Sequence, residues 1–358
     1  MKSENYNVLG VMSGTSLDGI DLAHVTLSVL DNKWSYTIHE AETIPYPDDW
    51  VTRLKEAVNY NEDDLLVLDD AYTEFLAGTI CSFIIKYSLD NLDAVCSHGH
   101  TAQHQPKRGI TLQIGNKPAL ARHTGFTVVC NFRVQDVQMG GQGAPLVPVG
   151  DRLLFGNYDF CLNLGGFSNI SFEDNGTRIA YDISPVNTVL NFYANRLGLP
   201  YDDGGAIARS GTIVQTLLEA LNELDYYKKN HPKSLGFEYV RDVVLPLMEN
   251  CTAGIPEKLR TFTTHVAMQL AKEILAIKPE GKLLVTGGGA YNNFLIAQLK
   301  AMLPDVAVVI PDDKTIQFKE ALIFALLGVL KLRDEINVLA SVTGATHNHS
   351  SGYIFEPK

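Results

Sequence analysis

Gly10-Val-Met-Ser-Gly-Thr-Ser-Leu-Asp-Gly-Ile-Asp21 lies directly after a short apolar lead, residues 6–9, and directly before a strand-like run, residues 22–30. The pattern predicts two strands joined by a tight turn of Gly, Ser and Thr. Backbone N–H groups in such a turn can form an anion-binding nest, so the turn can hold the phosphates of a nucleotide. Gly14 and Gly19 are expected to supply positive φ and close backbone approach. A hairpin with an ordinary polar turn is the alternative.

The first turn is interpreted as a phosphate site with an associated cation. Asp18, together with Asp21, is a candidate to hold the Mg²⁺ that accompanies ATP, because this ion prefers carboxylate oxygens. The expected ATP contacts here are Gly10, Met12, Ser13, Gly14, Thr15, Ser16, Leu17 and Asp18.

A second strand–turn–strand unit opens the second half of the chain. Residues 159–164 form an apolar run, residues 165–169 a glycine turn, and residues 170–172 resume the strand. A further strand over residues 177–181 ends at Asp182. The repeat predicts a duplicated α/β domain whose two turns face each other across a nucleotide cleft. Gly165 and Gly166 are then expected to contact ATP.

A third glycine cluster, Gly287-Gly-Gly289, stands between a buried-strand pattern at 282–286 and helical spacing at 290–303. In this arrangement the main chain can pass flat against a nucleotide or ribose, so Gly287, Gly288, Gly289 and Asn292 are expected ATP contacts. Neither the dinucleotide fingerprint nor the Walker P-loop spacing occurs, which argues against a Walker-type ATPase.

Composition limits the function classes. The chain has 358 residues, enough for two ordinary domains, and we place their boundary at the glycine-rich joint near residue 145, giving domains 1–145 and 146–358. The net charge is −12 without long basic runs, which argues against a nucleic-acid partner.

The cysteines and apolar runs indicate a cytoplasmic protein. The five cysteines are odd in number and widely spaced, so reduced thiols are expected. The N-terminus lacks the order of a signal peptide. The longest apolar stretch, residues 321–330, is too short to span a membrane and predicts a buried helix.

Helical spacing elsewhere predicts helices over 50–59, 63–87, 187–197, 213–227, 257–275 and 318–332. Short apolar runs predict strands over 92–97, 111–114 and 127–130.

Two acids are candidates for catalysis. Asp182 follows the second phosphate-like turn, where a carboxylate can deprotonate a hydroxyl or a water, although it can equally cap the turn at 183–187. Glu320 lies at the start of the last helix, 319–332, where the alternative is a first-turn acid that interacts with the helix dipole.

Histidine and arginine suggest a site for a polar ligand. His98, His100 and His104 lack a convergent cysteine or acid, so hydrogen bonding is favoured over zinc binding. Arg133 and Asp136 either bind an acidic substrate group or pair with each other on the surface.

Together these motifs resemble the anhydro-N-acetylmuramic acid kinase family, a branch of the sugar kinase–Hsp70–actin superfamily. Besides the opening stretch and the glycine clusters, the resemblance includes Ser97-His-Gly99, Gly140-Gly-Gln-Gly-Ala-Pro145, Pro232-Lys-Ser234, Glu320-Ala321 and Val342-Thr-Gly-Ala345.

The resemblance implies two ribonuclease H-like domains of the actin/hexokinase type. It implies that ATP and water convert 1,6-anhydro-N-acetylmuramic acid into N-acetylmuramic acid 6-phosphate during cell-wall recycling, in a cytoplasmic protein that is commonly a homodimer. Asp182 matches the family's catalytic base, and Glu320 is a second catalytic candidate. The expected sugar contacts are His98, Gly99, Thr101, Arg133 and Asn169.

The chain departs from the family pattern at Asp182-Ile-Ser-Pro-Val-Asn187, where Asp-Thr-Gly-Pro-Gly-Asn is usual. Side chains in place of glycine are expected to block backbone approach there. His100 and Asn131 also replace a usual Gln and Asp, and Leu235 and Phe237 replace a Thr and an Arg. A kinase for another sugar or sugar acid, or a weakly active nucleotide-binding relative, therefore remain alternatives.

Overall fold

A computed structural model describes residues 4–358. It contains twelve strands: β1 (Glu4–Ser13), β2 (Ile20–Leu30), β3 (Lys33–Ile44), β4 (Ala94–Gln105), β5 (Ile110–Ile114), β6 (Val128–Cys130), β7 (Phe160–Leu164), β8 (Phe167–Asp174), β9 (Thr177–Pro185), β10 (Gly281–Thr286), β11 (Val306–Val309) and β12 (Tyr353–Phe355).

The helices of the described chain are α1 (Asp48–Glu56), α2 (Glu62–Tyr87), α3 (Ala119–Thr124), α4 (Val134–Gln138), α5 (Val147–Leu154), α6 (Asn187–Asn195), α7 (Ala206–Ser210), α8 (Gln215–Asn222), α9 (Phe237–Tyr239), α10 (Leu245–Glu249), α11 (Ile255–Ile277), α12 (Asn293–Met302), α13 (Asp313–Leu332) and α14 (Ala340–Thr343). A π-helical segment, Val240–Val244, joins α9 to α10. Short 3₁₀ turns include Asp203–Gly205, Asp225–Lys228 and Gly288–Tyr291.

Two sheets repeat one topology. In the first, β1, β2 and β3 are successively antiparallel, while β4 is parallel to β1 and β6 is parallel to β4. In the second, β7, β8, β9, β10 and β11 follow the same order and directions. The first sheet adds β12 and β5. The shared strand order confirms the predicted duplication of an α/β, ribonuclease H-like domain.

The compact units are not the consecutive domains predicted from the sequence. One unit runs to Leu154 and resumes at Phe318, and the other comprises Phe155–Gln317. The predicted boundary near residue 145 therefore lies before α5, which still belongs to the first unit, and the last 41 residues of the chain, from Phe318 to Lys358, return to that unit. The second break falls in α13 at Phe318, where the backbone leaves helical geometry.

Glycines explain why the end of α13 packs on the first sheet. A Cβ on Gly10 of β1 would lie 2.0 Å from the carbonyl oxygen of Ala321, and a Cβ on Gly328 would lie 2.2 Å from Sγ of Cys96 in β4. The helix therefore approaches the sheet more closely than larger residues would allow. Residues distant in the chain make these contacts, so periodicity alone does not show them.

Three strands were not predicted: β3, β11 and β12. β3 forms the edge of its sheet next to β2, and exposed and partly buried residues alternate along its first seven positions. Trp34, Tyr36 and Ile38 hold the partly buried positions, so the sequence does carry the period of two that is typical of a half-buried strand. β4 continues to Gln105, beyond the strand predicted over 92–97, so His98, His100 and His104 all lie in this strand.

The second unit has its own large core of buried side chains. α11 contributes one face of it, with Phe262, Val266 and Leu270 fully buried among strand residues such as Leu162 and Val285. The five cysteines form no disulfide bonds, as predicted. Among the described residues, no helix is long and apolar enough to cross a membrane.

Candidate active site

Asp182 lies in β9, which continues to Pro185, beyond the strand end predicted at Asp182. Its backbone N–H donates to the carbonyl oxygen of Lys233 (3.2 Å), and its carbonyl oxygen accepts from the Tyr226 hydroxyl (2.7 Å). The Leu235 N–H donates to Oδ2 (2.8 Å). Burial raises the pKa of Asp182, and the Leu235 hydrogen bond opposes the increase. The carboxylate is thus oriented through one oxygen, while Oδ1 accepts no hydrogen bond from the described residues.

Asn169 shares this region of the second unit. It lies in β8 and is the direct cross-strand partner of Asp182. Because opposite residues of an antiparallel pair project from the same face, the amide and the carboxylate are neighbours. Asn169 is exposed, whereas Asp182 is half-buried. The structure thus brings together a predicted sugar contact and the predicted base.

The second glycine turn is tied to helix α6. The Gly166 carbonyl oxygen accepts from the N–H groups of Val186 (2.8 Å) and Thr188 (3.2 Å), and the Gly165 carbonyl accepts from the Asn187 N–H (3.3 Å). These are N–H groups at the start of α6 that would otherwise lack helical partners. The carbonyl groups of the turn therefore accept hydrogen bonds from the free N–H groups at the start of α6.

The third glycine cluster passes flat against the end of β7. Gly287 has φ +80°, and a Cβ there would lie 2.6 Å from Oδ1 of Asn163. A Cβ on Gly289 would lie 2.7 Å from that of Leu164. At Gly288 the nearest such neighbour is 3.7 Å away, on Asn187. Gly287 and Gly289 are therefore required for packing, whereas Gly288 faces open space.

That space is a cavity of about 450 Å³ in the second unit. Its size falls in the range of small-molecule sites. Three of the predicted ATP contacts line it, Gly288, Gly289 and Asn292; the other lining residues are Asn187, Leu190, Asn191, Tyr201, Asp202, Asp203, Gly204 and Tyr291. Most of these were not predicted, since they come from segments that are separate in the chain and carry no shared motif.

Asn292 has a structural role as well. Its side chain accepts from the Leu295 N–H (3.0 Å) and caps α12. A Cβ on Gly205 would lie 2.3 Å from the same oxygen. The hydrogen bond from Leu295 holds the Asn292 side chain in place where it lines the cavity.

The first predicted phosphate turn lies in the first unit, between β1 and β2. Gly10, Met12 and Ser13 belong to β1 and are buried, whereas Thr15, Ser16 and Asp18 are exposed in the turn. The positive φ in the turn occurs at Leu17 (62°), not at Gly14 or Gly19 as predicted.

Glycine at position 19 has a packing reason. A Cβ there would lie 2.5 Å from the Ile44 carbonyl oxygen of β3. The close backbone approach predicted for Gly19 is therefore an approach to the backbone of β3. At Gly14 the nearest atom to such a Cβ is 3.4 Å away, on the Ser16 hydroxyl, so this side of the turn is open.

Acidic side chains surround the first turn. The Ser16 hydroxyl donates to Asp18 Oδ1, and the Thr43 hydroxyl donates to Asp21 Oδ1 (2.6 Å). Burial raises the pKa of Asp21 to about 6, and the negative charges of Asp18 and Glu320 contribute. No group of three His, Cys, Asp or Glu residues in the described chain has the arrangement of a metal site.

Glu320 follows the kink at Phe318, at the start of the helical segment predicted from the sequence. Its side chain is exposed, whereas the neighbouring Lys319 is buried and pairs with the buried Asp151 (2.7 Å). The ion pair fixes the beginning of this segment within the first unit.

His98 and Arg133 form a direct pair. Nε of Arg133 donates to Nε2 of His98 (2.9 Å), so Nδ1 of the neutral ring donates to the Gly99 carbonyl (2.8 Å). Burial and the Arg133 charge hold the pKa of His98 well below its usual range. Burial lowers the pKa of Arg133 to about 10, which leaves it charged at neutral pH.

Asp136 is not a surface partner of Arg133. It is fully buried and accepts from the Gly143 N–H and the Thr343 hydroxyl, each at 2.7 Å. Arg133 donates to the Gly143 carbonyl oxygen instead (2.7 Å). Asp136 therefore shapes the loop at 139–145, and Arg133 is the member of the two that remains a candidate for ligand binding.

His100 belongs to a buried hydroxyl chain. Its Nδ1 lies 2.8 Å from the Ser13 hydroxyl, which is 2.6 Å from the Tyr46 hydroxyl; that group is in turn 2.5 Å from the Tyr72 hydroxyl. Burial lowers the pKa of His100 to about 4.

The other predicted residues of this strand are less enclosed. Thr101 accepts from the Gln113 amide (3.4 Å), and His104 is exposed beside the Thr111 hydroxyl. A Cβ on Gly99 would lie 2.5 Å from the Ile114 carbonyl oxygen, so this glycine is needed for packing.

Comparison with known proteins identifies the family. Residues 6–357 match the family of anhydro-N-acetylmuramic acid kinases. The chain belongs to this family. The relative named anhydro-N-acetylmuramic acid kinase from Sulfurovum sp. (strain NBC37-1) is 33% identical over 374 residues, covering 99% of this chain and 100% of the relative. The one from Shewanella loihica is 32% identical, covering 99% of each.

Solved structures show more distant similarity. An activator of the 2-hydroxyisocaproyl-CoA dehydratase from Clostridium difficile with bound ADPNP is 11% identical, covers 91% of this chain and 96% of its own, and has a TM-score of 0.42. A ROK family glucokinase from Streptomyces griseus in complex with glucose and AMPPNP is 10% identical, with 90% and 99% covered and a TM-score of 0.42. The fold assignment rests on the strand order described above.

Membership confirms the predicted enzyme class, a phosphotransferase of the anhydro-N-acetylmuramic acid kinase family with a role in cell-wall recycling. The residues that depart from the family pattern after Asp182 lie in the core of the second unit. Ile183 and Val186, which replace a Thr and a Gly of the family pattern, are fully buried in the core of the second unit. Ser184 is also buried and hydrogen-bonds Ser168 and Tyr227. These side chains therefore pack inside the core of the second unit. They do not cover the solvent-facing side of the backbone, where they were expected to block its approach to a ligand.

Proposed function

We propose that this chain opens 1,6-anhydro-N-acetylmuramic acid with water and phosphorylates O6, and that Asp182 is the general base. The observation that carries the proposal is the setting of Asp182. Its backbone and Oδ2 are held by Lys233, Tyr226 and Leu235, while Oδ1 has no protein donor among the described residues. An oriented carboxylate with one free oxygen can take a proton from a water.

The base would act on the water that attacks the anomeric carbon. Asp182 takes one proton from that water as the bond from C1 to O6 breaks, so the electron pair of that bond remains on O6. Burial raises the pKa of Asp182 and so strengthens it as a base. We assign Asn169 to a hydrogen bond with a sugar substituent, because it is the cross-strand neighbour of Asp182.

The cavity of the second unit is our candidate for the nucleoside part of ATP. Gly288 adds no side chain to the space, and Tyr201 and Tyr291 contribute exposed aromatic surface. Apolar and aromatic walls with a few polar groups are typical of ligand sites. When bound, ATP with Mg²⁺ supplies the γ-phosphoryl group that O6 receives and the cationic charge that stabilises its transfer.

The first turn is proposed to face phosphate oxygens. Thr15 and Ser16 present exposed hydroxyls and Gly14 leaves one side open. Asp18 is an exposed carboxylate and fits Mg²⁺, which commonly uses one or two protein carboxylates and otherwise keeps water. Burial is the main cause of the raised pKa of Asp21, and the negative charges of Asp18 and Glu320 add to it; a cation bound at Asp18 would offset that added repulsion.

Arg133 is proposed to bind the lactyl carboxylate of the substrate. Nε and Nη1 are used by His98 and the Gly143 carbonyl, which hold the guanidinium rigidly and leave Nη2 without a partner among the described residues. A pre-oriented guanidinium is well suited to a carboxylate. Glu320 is proposed as a second acid at the site because it is exposed and close enough to Arg133 to influence its pKa.

A homodimer in the cytoplasm is also proposed, on the strength of family resemblance. Light scattering of the purified protein after size-exclusion chromatography tests the dimer, and a mass of one chain would contradict it.

The decisive experiment measures ADP release with ATP, Mg²⁺ and 1,6-anhydro-N-acetylmuramic acid in ¹⁸O-labelled water. We expect sugar-dependent ADP release and one ¹⁸O atom in the product at C1. Release without label incorporation would indicate simple hydroxyl phosphorylation of a sugar. Release no faster than in the control without sugar would contradict the proposal and favour a nucleotide-binding relative.

A further inference from the structure

Lys233 is a buried lysine in an exposed loop. The loop spans residues 229–236, and His231, Pro232 and Ser234 around Lys233 are exposed. The Lys233 side chain is only 2% exposed, and Nζ lies 2.6 Å from Oε1 of Glu273 in α11. A charge in this setting needs a partner, and removal of one partner leaves the other uncompensated. The ion pair therefore anchors the loop to α11.

The anchor is built from further contacts. The Tyr181 hydroxyl donates to Oε2 of Glu273 (2.9 Å). Nζ of Lys233 lies 5.3 Å from the ring centroid of Tyr181 and 5.4 Å from that of Tyr226. Tyr181 precedes Asp182 in β9, and Tyr226 bonds the Asp182 carbonyl oxygen. The ion pair thus lies among the residues that surround Asp182.

The same loop holds Asp182 at two points. The Lys233 carbonyl accepts from the Asp182 N–H, and the Leu235 N–H donates to Asp182 Oδ2. Only one residue separates Lys233 from Leu235. A shift of the loop at Lys233 therefore moves the hydrogen-bond donor of the carboxylate.

We propose that Lys233 is a positioning residue for Asp182: its ion pair with Glu273 holds the loop at 229–236 so that the Leu235 N–H stays on Oδ2. The proposal rests on the proposed role of Asp182 as the base. Lys233 itself touches neither substrate nor reacting atoms in this scheme. Its effect is on the orientation and the proton affinity of the base.

Loss of the Leu235 hydrogen bond should raise the pKa of Asp182. The Leu235 hydrogen bond lowers the pKa of Asp182, so its loss raises that pKa. Titratable groups that contact the residues holding Asp182 include Tyr181, Tyr226, Tyr239, Lys229, His231, Lys233 and Glu273. Of these, only Lys233 and Glu273 are changed in the variants below. A base with a higher pKa is protonated, and inactive, up to a higher pH.

The test is the pH dependence of kcat/KM for 1,6-anhydro-N-acetylmuramic acid in two variants. Lys233→Met removes the cation, and Glu273→Gln removes the anion while keeping its shape. If the ion pair positions the loop, both variants move the acid limb upward, by about one pH unit. If the two charges act on Asp182 only through space, Glu273→Gln moves the limb downward. Opposite shifts, or no shift, overturn the proposal.

Controls separate the proposal from folding and from the role of Asp182. Lys228→Met removes an exposed lysine that pairs with Glu223 and should leave the pH profile unchanged. Lys233→Arg should restore most of the wild-type profile, because it keeps the charge. If Lys233→Met does not fold, the Glu273→Gln profile decides. Asp182→Asn tests the base itself: full activity there refutes the base, whereas an inactive Asp182→Asn with a wild-type Lys233→Met profile refutes only the positioning role.

Discussion

Asn169 and Asp182 stand directly opposite each other on the antiparallel strands β8 and β9. A register shift between Ser168 and Asn169 sets this pairing, since Ser168 is opposite Ser184. Side chains opposite each other in such a pair lie on one face of the sheet. In the proposed mechanism, the uncharged amide of Asn169 can hydrogen-bond a sugar group without competing for the proton that Asp182 takes from water.

Asp182→Asn should abolish turnover while leaving ATP binding intact. The amide keeps the shape and can still accept from the Leu235 N–H, but it cannot take a proton. We expect kcat to fall by roughly 10²- to 10⁴-fold, the usual contribution of a general base. ADP release measures turnover, and calorimetric titration with ATP measures binding. Retained turnover would contradict the assignment of the base.

Arg133→Met should weaken sugar binding selectively. Loss of a charged hydrogen bond, about 1.5–3 kcal/mol, corresponds to a KM for the sugar that rises by roughly 10- to 100-fold. The discriminating control is 1,6-anhydro-N-acetylglucosamine, which lacks the lactyl carboxylate. The wild-type protein and Arg133→Met should show the same KM for that compound. A variant that loses activity equally on both compounds would show that Arg133 serves the fold, through His98, and not the carboxylate.

Gly288→Val and Gly287→Ala should have different consequences. A side chain at Gly288 enters the cavity, so the KM for ATP should rise at least about 10-fold with little change in Tm. Gly287 has φ +80° and no space for a Cβ, so its substitution should cost roughly 1–3 kcal/mol of stability and lower Tm. Steady-state kinetics and thermal melts measure both. An unchanged KM for ATP in Gly288→Val would place the nucleoside elsewhere.

His100→Gln should reduce the loss of stability in acid. Burial lowers the pKa of His100 from 6.5 to about 4, which corresponds to roughly 3 kcal/mol. The lowered pKa has no effect on stability above pH 6.5, but it destabilises the fold by up to this amount as pH falls from 6.5 towards 4, because the unfolded chain takes up the proton first. Tm measured across that range should fall less in the variant. Parallel Tm curves for the two proteins would contradict the lowered pKa.

Asp21→Asn should stabilise the protein near neutral pH. The pKa of Asp21 rises from 3.8 to about 6 in the folded chain, so ionisation above that pH opposes folding by up to roughly 3 kcal/mol. The folded state binds the proton more tightly, so stability decreases as pH rises from 3.8 to 6. The gain in Tm from the variant should therefore be larger at pH 7.5 than at pH 4. An equal gain at both values would point to an effect unrelated to ionisation.

The first glycine turn was predicted only in part from the sequence. The strands on either side of it, and the second copy in β7 and β8, were predicted because apolar alternation and turn residues act between close neighbours. The reasons for its glycines were not. Gly10 and Gly19 are required by Ala321 and Ile44, whose proximity depends on the folded sheet.

Local sequence pattern was sufficient for the α/β class, the repeated strand–turn–strand unit and the family, because these depend on the order and spacing of residues along the chain. The tertiary structure was needed to show that the end of α13 packs with β1, that Arg133 pairs with His98 and not Asp136, and that the loop carrying Lys233 hydrogen-bonds Asp182. These contacts join residues far apart in sequence, and their geometry follows from close packing and burial, which no local periodicity records.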